Sequence, residues 1–434
     1  MKNHKNIQNL TVESIADEFG TPLYIYDGNE LVSNYWGLKN CLPDFVDVFY
    51  ALKVNPNISL VGLLRQEGAC AEVCSLIELE IALKAGVPPQ DIIFLGPSKR
   101  EEEIRRALEL GIFALVVESE EELGRVSRIA GEMQTTAQIA IRVNPSFAVE
   151  GAPLKMGGRP TQFGITEGRL FEAFEQFRAL PNIHIRGLHV YNGTRILSAR
   201  AVYENTRNIL EMFEKVSERF GHEFSMVDVG GGMGIPYFGR DKELDKAELE
   251  SLMKPLFTAF NHRNPNTRCI MESGRFIAGT AGIFVSRVNN IKSNYGETYV
   301  ITDGGTNCHM SATGVGSVVR RNFPMENISA TSEEIGGRYQ VAGPLCNPDD
   351  LTARNIDLPE AHVGDLIAIT ASGAYGPTAS PVLFHSQGHP AEVMVVNGKP
   401  FLIRHRDEAE DLIARHLLLD FETILSSDEE VALA

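Results

Sequence analysis

Three features of the sequence could perform chemistry together: a lysine, a run of glycines and a carboxylate. Lys53 follows an apolar run directly, and a desolvated lysine can be neutral and attack an aldehyde, although a lone lysine is more often a solvated surface residue. Glycines fill 230–234 except for Met233, and with Arg275 nearby their N–H groups could bind a phosphate, although such a run is more often a tight turn. Glu272 could keep a ring nitrogen protonated or form a structural ion pair. A lysine, a phosphate site and an acidic partner for a pyridinium are together the binding set of pyridoxal phosphate (PLP).

The elements that must position these residues repeat one theme from about residue 45 to 275. Short apolar runs alternate with helical patterns that carry apolar residues at i, i+3, i+4 and i+7. Eight units of this kind predict a (β/α)8 TIM barrel, and an open doubly wound sheet is the alternative. The predicted strands span 46–52, 70–73, 91–96, 112–118, 137–143, 184–190, 225–230 and 269–272.

The unusual polar residues follow these strands. In a barrel the functional groups lie where the strands end, at their carboxyl edge. The residues in those places are Lys53, Glu72, Ser75, Arg142, Asn144, His189, Tyr191, the glycine run, Glu272 and Arg275. The strand pattern therefore predicts that they meet at one mouth.

After residue 285 the pattern changes to strands without long helices between them. Asn397-Gly398 separates two alternating runs, which is a strong hairpin signal. We expect a β-rich second domain over 286–434, closed by a helix from about Asp407, and a barrel domain over 28–285.

Composition and charge exclude several classes of protein. The 434 residues carry 40 Lys and Arg against 57 Asp and Glu, a net charge of −17, which disfavours binding to nucleic acid or to anionic membranes. Six scattered cysteines form neither a disulfide scaffold nor, with the histidines, a zinc motif, and no stretch is long and apolar enough to span a membrane. We therefore expect a cytoplasmic protein without a metal.

The order of the motifs resembles one family over nearly the whole chain, the fold-type III PLP-dependent decarboxylases related to diaminopimelate and ornithine decarboxylase. No single motif is specific, but the ordered set is. The motifs are TPLYIYD (21–27), YALKVN (50–55), AEVCS (71–75), QFGI (162–165), GGGMG (230–234), ESGRF (272–276), GPLCNPDD (343–350) and SGAYG (372–376).

This resemblance implies an alanine racemase-like barrel, a PLP cofactor and a role for each matching residue. Lys53 would form the Schiff base, Glu272 would bind the pyridine nitrogen, and Cys346 would donate a proton to the site of the opposite subunit in a head-to-tail homodimer. Residues 1–27 would join the β-rich domain. The cofactor-binding set would be Lys53, Glu72, Arg142, His189, Tyr191, Gly231, Gly232, Glu272, Gly274, Arg275 and Tyr375. The substrate-binding set would be Arg275, Ser311, Asn347 and Tyr375.

Three positions depart from the family pattern and bear on the substrate. Tyr191 stands where the family stacks a histidine on the cofactor ring, and an aromatic ring can still stack there. Ser311 lies near the place of an arginine for the distal carboxylate, and Asn347 replaces an acidic residue for the distal amine. The partners of a free distal ammonium and carboxylate are therefore missing.

These departures resemble a branch of the family that decarboxylates a glutamyl group held as a thioester on an acyl carrier protein in antibiotic biosynthesis. The segments VYNGT (190–194), KMGGRP (155–160), GPLCNP (343–348) and RRNFPM (320–325) carry this likeness. An acidic carrier would need a basic patch for docking, and the candidates are Lys155, Arg159, Arg320 and Arg321. The alternatives are decarboxylation of free diaminopimelate, ornithine or lysine, or of a siderophore intermediate.

Two other classes of protein remain to be distinguished from this one. A non-catalytic PLP carrier of the same barrel type would be about half as long and would lack the second domain with Cys346. A metal-dependent barrel enzyme could use Lys53, His189, Asp228 and Glu272.

Overall fold

A computed structural model describes residues 4–149, 154–239, 241–314 and 320–426. The described strands form a barrel, a second large sheet and two small two-stranded sheets. In chain order they are β1 (Asn6–Ile7), β2 (Leu10–Thr11), β3 (Leu23–Asp27), β4 (Val46–Ala51), β5 (Cys70–Val73), β6 (Ile92–Phe94), β7 (Ala114–Val117), β8 (Ala137–Asn144), β9 (Leu154–Lys155), β10 (Ile165–Thr166), β11 (Ile183–His189), β12 (Gly193–Thr194), β13 (Met226–Asp228), β14 (Arg268–Ser273), β15 (Gly282–Asn294), β16 (Glu297–Thr302), β17 (Met325–Asn327), β18 (Gly337–Ala342), β19 (Leu351–Leu358), β20 (Leu366–Ile369), β21 (Ala391–Val396) and β22 (Lys399–Arg404).

The longer helices alternate with the barrel strands. In chain order the α-helices are α1 (Val12–Phe19), α2 (Gly28–Lys39), α3 (Ile58–Gln66), α4 (Leu76–Lys84), α5 (Glu101–Leu110), α6 (Glu120–Glu132), α7 (Glu167–Arg178), α8 (Ala199–Phe220), α9 (Lys246–Arg263), α10 (Arg275–Ala278), α11 (Met310–Thr313), α12 (Ala409–Ile413) and α13 (Phe421–Ser426). Short 3₁₀ turns lie at Leu52–Val54, Pro89–Asp91, Pro377–Ala379 and Phe384–Ser386. Among the described residues, no helix is both long and apolar enough to cross a membrane.

The barrel is closed. Its strands follow the order β4, β5, β6, β7, β8, β11, β13 and β14, and β14 pairs with β4 to complete the circle. Neighbours are parallel throughout, from Tyr50 beside Ala71 on one side to Ser273 beside Tyr50 on the other. The prediction of a (β/α)8 barrel is confirmed, and the open doubly wound sheet is wrong.

Alternating side chains fill the barrel from inside and cover it from outside. Phe49, Ile93, Val116 and Ile270 belong to a compact apolar cluster contributed by several barrel strands. Their chain neighbours belong to the larger core cluster, which also contains the helix residues. Because successive side chains of a strand point to opposite faces, the first cluster fills the barrel and the second packs the helices around it.

Polar caps fix where the helices begin, and glycines mark where several end. The hydroxyls of Ser75, Ser119 and Ser198 accept hydrogen bonds from backbone N–H groups in the first turns of α4, α6 and α8. Helices α5 and α8 end at Gly111 and Gly221, which adopt the left-handed conformation that glycine allows at a helix end. These short junctions hold the strand ends, and thus the mouth of the barrel, in register.

A second sheet joins both ends of the chain. Its order is β19, β18, β16, β15, β3, β21 and β22, with β20 pairing to β15 and β17. β3, from the N-terminal segment, lies between β15 and β21. β15 belongs to this sheet from Gly282, so it crosses the boundary predicted at residue 285.

Two predictions about the second half, a hairpin and a helix, can be compared with the structure. The hairpin at Asn397-Gly398 is confirmed by the antiparallel pairing of β21 with β22. The helix expected from about Asp407 is found as α12, which begins at Ala409 and has five residues. The apolar residues after α12 are exposed rather than packed on one face, so nothing in the described chain stabilises a longer helix.

Candidate active site

A cleft of about 330 Å³, counted to its open mouth, lies at the carboxyl ends of the barrel strands. The ends of β4 and β14 and the loops after β11 and β13 form its walls. Residues that the sequence placed in the site line it together: Lys53, Tyr191, Gly232, Glu272, Gly274, Arg275 and Tyr375.

Lys53 lies on the 3₁₀ turn that follows β4, and it is paired with a carboxylate. Its Nζ is 3.0 Å from both Oε1 and Oε2 of Glu72, which is fully buried on β5. Burial lowers the pKa of Lys53, but Glu72 first and then other acidic groups outweigh it and hold the pKa well above its usual value. Glu72 therefore favours the charged form of Lys53, whereas a desolvated lysine without such a partner can be neutral.

Two further groups surround this pair. The Cys74 thiol donates to Glu72 Oε1 at 3.0 Å, and the Cys74 N–H donates to Glu78 Oε2 at 2.7 Å. Burial raises the pKa of Glu78 to about 7, and the Cys74 N–H opposes that rise. Glu72 and Glu78 thus both accept hydrogen bonds from Cys74, in the turn between β5 and α4.

Glu272 lies deep in the cleft, at the end of β14. Its Oε1 is 3.0 Å from Nε2 of His189, and its Oε2 is buried without a hydrogen-bond partner. Burial raises the pKa of Glu272, but the His189 ring, followed by Lys53 and Arg142, outweighs burial and keeps the pKa below its usual value. An ionised, half-satisfied carboxylate in this place is an acceptor for an N–H group that the protein itself does not supply.

Asp228 is a second buried carboxylate beside Glu272. Burial, and then the charge of Glu272, hold its pKa well above the usual value, while the Gly230 N–H donates to its Oδ1 at 2.8 Å. Ligand atoms of His189, Asp228 and Glu272 lie within 4.8 Å of one another, so these three could also hold a metal ion. From the sequence, Asp228 was a candidate only for the metal-dependent alternative, although the DVG segment at the end of a predicted buried strand marks its position.

The loop after β13 forms a cradle that only glycine permits. A Cβ at Gly231 would lie 1.9 Å from the carbonyl oxygen of Glu272, and one at Gly232, whose φ is +92°, would lie 1.9 Å from that of Gly193. Arg275 begins the short helix α10 beside this loop, and its Nη1 donates to the Tyr237 hydroxyl at 2.7 Å while its Nε is buried without a partner. N–H groups and an arginine around a tight loop can bind a phosphate.

Aromatic residues flank the lysine. The Tyr191 ring centroid is 5.4 Å from Lys53 Nζ, and the Tyr375 ring lies 4.7 Å from the Arg275 guanidinium carbon. Burial raises the pKa of Tyr375 to about 12, so its hydroxyl remains a donor at neutral pH. Both residues line the cleft, where a planar ring could stack on Tyr191.

Arg142 does not line the cleft. Its Nη1 donates to Glu118 Oε1 at 3.0 Å and its guanidinium lies over the Phe163 ring at 4.5 Å. Its charge helps to lower the pKa of Glu272, so it acts on the site through the barrel rim. A direct contact of Arg142 with the cofactor stays a prediction.

The predicted substrate residues are distributed differently. Ser311 borders a chamber beside the cleft, and its hydroxyl donates to the carbonyl of Tyr375 at 3.0 Å. Cys346 is exposed, and neither it nor Asn347 lines the cleft of its own subunit. The loop that carries them is held by Asp350, which accepts hydrogen bonds from the N–H groups of Thr306 and Leu345.

The residues present fit PLP. Glu272 offers a free buried oxygen to a pyridinium N–H, the Gly231–Gly232 cradle and Arg275 offer donors to a phosphate, and Lys53 offers an amine between them. A closed barrel with this cleft and a sheet from both chain ends defines the class of barrel enzymes that use this cofactor.

Comparison with known proteins identifies the family. A family model described as "Pyridoxal-dependent decarboxylase, pyridoxal binding domain" matches residues 29–279. The chain is 35% identical over 418 residues to the L-glutamyl-[BtrI acyl-carrier protein] decarboxylase of Niallia circulans, covering 95% of this chain and 97% of that protein. It is 32% identical to the diaminopimelate decarboxylase of Aquifex aeolicus, covering 94% of each. The crystal structure of M. jannaschii diaminopimelate decarboxylase with L-lysine superposes with a TM-score of 0.86, at 28% identity, over 95% of this chain and 96% of that one.

The chain belongs to the pyridoxal-dependent decarboxylases. It is a PLP-dependent amino-acid decarboxylase with an alanine racemase-like barrel, as the resemblance of its motifs implies. Bound PLP supplies an aldehyde and a protonated ring that takes up the electron pair left when carbon dioxide departs. This family assignment excludes the metal-dependent alternative. The non-catalytic PLP carrier is excluded because the match to decarboxylases covers both halves of the chain.

Proposed function

We propose that this enzyme decarboxylates an L-amino acid whose distal end is covalently masked, and specifically a glutamyl group tethered to an acyl carrier protein. The observation that carries the proposal is the chemistry of the chamber beside Ser311. Arg195 and Arg321 line this chamber, and its carboxylate, Asp241, already accepts hydrogen bonds from the N–H groups of Tyr237 and Phe238. A free distal ammonium would meet two like charges there.

The position of Asn347 supports the same substrate class. An amide can neither neutralise an ammonium nor repel a neutral thioester, whereas a buried charge without a partner costs several kcal/mol. The acyl-carrier decarboxylase from Niallia circulans, which shares 35% identity, is a precedent for a carrier-linked substrate. Antibiotic biosynthesis is the corresponding context for this chain.

Carrier docking on this acidic enzyme needs local positive charge, and the predicted basic residues divide into two groups. Lys155 lies on β9, which pairs with β12, and Arg159 follows it in the chain; both side chains are exposed. Arg320 is paired with Asp349 at 3.2 Å, and Arg321 borders the chamber itself. We therefore propose Lys155 and Arg159 as the docking cations.

In the proposed site each residue has one task. Lys53 would hold PLP covalently through its amine, Glu272 would keep the ring nitrogen protonated, and Tyr191 would stack on the ring. Gly232, Arg275 and Tyr375 hold the phosphate. Cys346 reaches the site of the partner subunit in a homodimer and donates the proton that replaces the carboxylate.

Lys53 can be tested by chemical trapping. Borohydride reduction of the holoenzyme should fix the phosphopyridoxyl group on Lys53, and peptide mapping by mass spectrometry should locate it there. The Lys53→Ala protein should carry no such label. Labelling of another lysine in the wild-type protein would refute the assignment.

The substrate is tested by carbon dioxide release from a matched panel. The panel contains a carrier-linked glutamyl thioester, a glutamyl thioester of N-acetylcysteamine, an amide-linked siderophore-type amino acid, and free diaminopimelate, ornithine and lysine. We expect kcat/KM to be highest for the carrier-linked thioester, and Lys155→Glu with Arg159→Glu to lower that value in a salt-dependent way. Turnover of the small thioester should not change in that double variant. A preference for any free diamino acid would refute the proposed substrate and leave the decarboxylase chemistry intact.

Diaminopimelate is the second candidate, because several relatives are diaminopimelate decarboxylases. Arg195 or Arg321 could bind its distal carboxylate, but Asn347 leaves its distal ammonium without an acidic partner. The same panel distinguishes the two substrates.

A further inference from the structure

A chamber of about 900 Å³ adjoins the cofactor cleft and shares two walls with it. On one wall the Arg275 guanidinium, which faces the cleft, donates to the hydroxyl of Tyr237, which faces the chamber, at 2.7 Å. On the other wall Ser311, which borders the chamber, donates to the backbone of Tyr375 at 3.0 Å. The cleft and the chamber are therefore neighbours, separated by the walls that these two contacts form.

The walls of the chamber are aromatic, and its charges are mainly positive. The rings of Tyr237 and Phe323 are 4.6 Å apart, and Phe238 packs beside them. The guanidinium carbon of Arg321 lies 5.2 Å from the Phe238 ring centroid, and that of Arg195 lies 5.9 Å from that of Tyr237. Both arginines are exposed, so their donors are accessible to a ligand.

Arg195 is held in place by the same loop that forms the phosphate cradle. Its φ is +62°, an uncommon conformation for a residue with a side chain. The next residue, Ile196, donates its N–H to the carbonyl of Gly232 at 3.0 Å and accepts from the N–H of Gly234 at 2.8 Å. The distance between Arg195 and the reacting centre is therefore set by the fold.

We propose that this chamber binds the distal part of the substrate, and that Arg195 and Arg321 determine specificity by binding an anionic group on it. The inference rests on the proposed masked substrate and adds that the mask carries a carboxylate or a phosphate. Arginine binds both groups through paired N–H donors, and the aromatic walls accept the uncharged chain that leads to them. The source of the anion is either the phosphopantetheine of a carrier protein or a small polycarboxylate joined through an amide.

Direct binding to the holoenzyme tests the chamber without turnover. Isothermal titration calorimetry measures the affinity for 4′-phosphopantetheine and, separately, for tricarballylate, which represent the two sources of the anion. At least one probe should bind, and Arg195→Gln with Arg321→Gln should weaken it about tenfold or more. Arg195→Lys with Arg321→Lys should retain part of the affinity. Arg207→Gln is the matched control, because Arg207 also lies over an aromatic ring, that of Tyr203, but on the outer helix α8.

The outcomes separate this inference from the proposed function. Weakened binding in the glutamine double variant supports the chamber even if the thioester panel shows no turnover, in which case only the proposed substrate fails. Binding of neither probe, or equal binding by wild type and double variant, overturns the inference even if thioesters are decarboxylated.

Loss of PLP from the double variant would assign the arginines to the cofactor. A shift in dimer dissociation without a change in probe binding would assign the chamber to the partner subunit. Either result overturns the proposal.

Discussion

At the scale of single residues, two buried carboxylates of the site, Glu72 and Glu272, differ in their hydrogen-bond partners. Glu72 is satisfied by Lys53 and Cys74, whereas Glu272 has one oxygen on His189 and one without a partner. Glu72 therefore stabilises the ammonium of Lys53, and the unpaired oxygen of Glu272 is available to a ligand. The two glutamates therefore have different tasks although both are buried in the same barrel mouth.

Glu272→Gln should retain PLP but lower kcat by about 100-fold or more, because the neutral amide no longer stabilises the protonated ring. The covalent link through Lys53 does not need this carboxylate. Cofactor content is measured by absorbance and turnover by carbon dioxide release. Glu392→Gln is the control, since Glu392 is also buried but accepts from Tyr26 in the second sheet, and it should keep near-normal turnover. Normal activity of Glu272→Gln would limit Glu272 to a structural role.

At the scale of elements, the loop after β13 should be intolerant of any side chain where it forms the cradle. Gly232→Ala should weaken PLP binding about tenfold or more, because its Cβ would meet the Gly193 carbonyl and its backbone has a positive φ. Gly239→Ala, later in the same loop, has open space around its Cβ and should bind PLP normally. Fluorescence titration of the apoenzyme measures both, and equal affinities would show that the loop does not hold the phosphate.

The first turn of α4 should make stability depend on pH through Glu78. Its folded pKa of about 7 lies above its ordinary value of 4.5, so the folded state binds the proton more tightly. The resulting stability is complete below about pH 4.5 and is lost as the pH rises to 7. At pH 8, urea unfolding should therefore show that Glu78→Gln has a free energy of unfolding about 1–3 kcal/mol higher than that of wild type. At pH 4.5 the two proteins should be equally stable. A variant less stable than wild type at pH 8 would contradict this reasoning.

Barrel elements were predictable because their signals are local and repeated. β5 was predicted within its observed bounds, and β8 and β14 within about one residue, since apolar runs ending at polar residues define buried strands. β15, β17 and β19 of the second half were missed. The buried first part of β15 continues directly into an exposed polar part, β17 has only three residues, and β19 mixes buried and exposed positions without strict alternation. Their pairing depends on partners distant in sequence, which periodicity does not reveal.

The site was predictable where a residue follows a strand, and less so where contacts arise between loops. Lys53, Glu272 and Gly232 meet as their strand ends require. The pairing of Lys53 with Glu72 and the placement of Arg142 on Glu118 depend on side-chain geometry across neighbouring strands. Arg195 escaped notice because nothing in its local sequence distinguishes it from a surface arginine; only the closed barrel brings it beside Tyr237.

At the scale of the whole molecule, the loop of Cys346 lies outside the cleft of its own chain, and the proposed sharing of sites between subunits rests on this placement. Asp349 pairs with Arg320 and Arg354, and Asp350 holds the backbone, yet the thiol is exposed and outside its own cleft. A loop that is well held but directed outward suits a contribution to a neighbouring subunit.

Lys53→Ala and Cys346→Ala should each be nearly inactive, and mixing them under subunit exchange should restore part of the activity. Hybrid dimers would then contain one site with both residues intact. Exchange is checked independently by mass spectrometry of differently labelled chains. Confirmed exchange without recovery of carbon dioxide release would place Cys346 outside the partner's site.

The position of β3 has a consequence for how the protein is made. β3 emerges early from the ribosome, but its neighbours β15 and β21 follow roughly 250 and 370 residues later. At about 5–20 residues per second, both edges of this strand stay unpaired for roughly 10–50 seconds until β15 is made, and the edge that pairs with β21 stays open for roughly 20–75 seconds. The barrel strands are complete at Ser273, before either neighbour has been synthesised. The nascent chain therefore holds a finished barrel and an open β-edge side by side, and this interval is when a chaperone would be needed most.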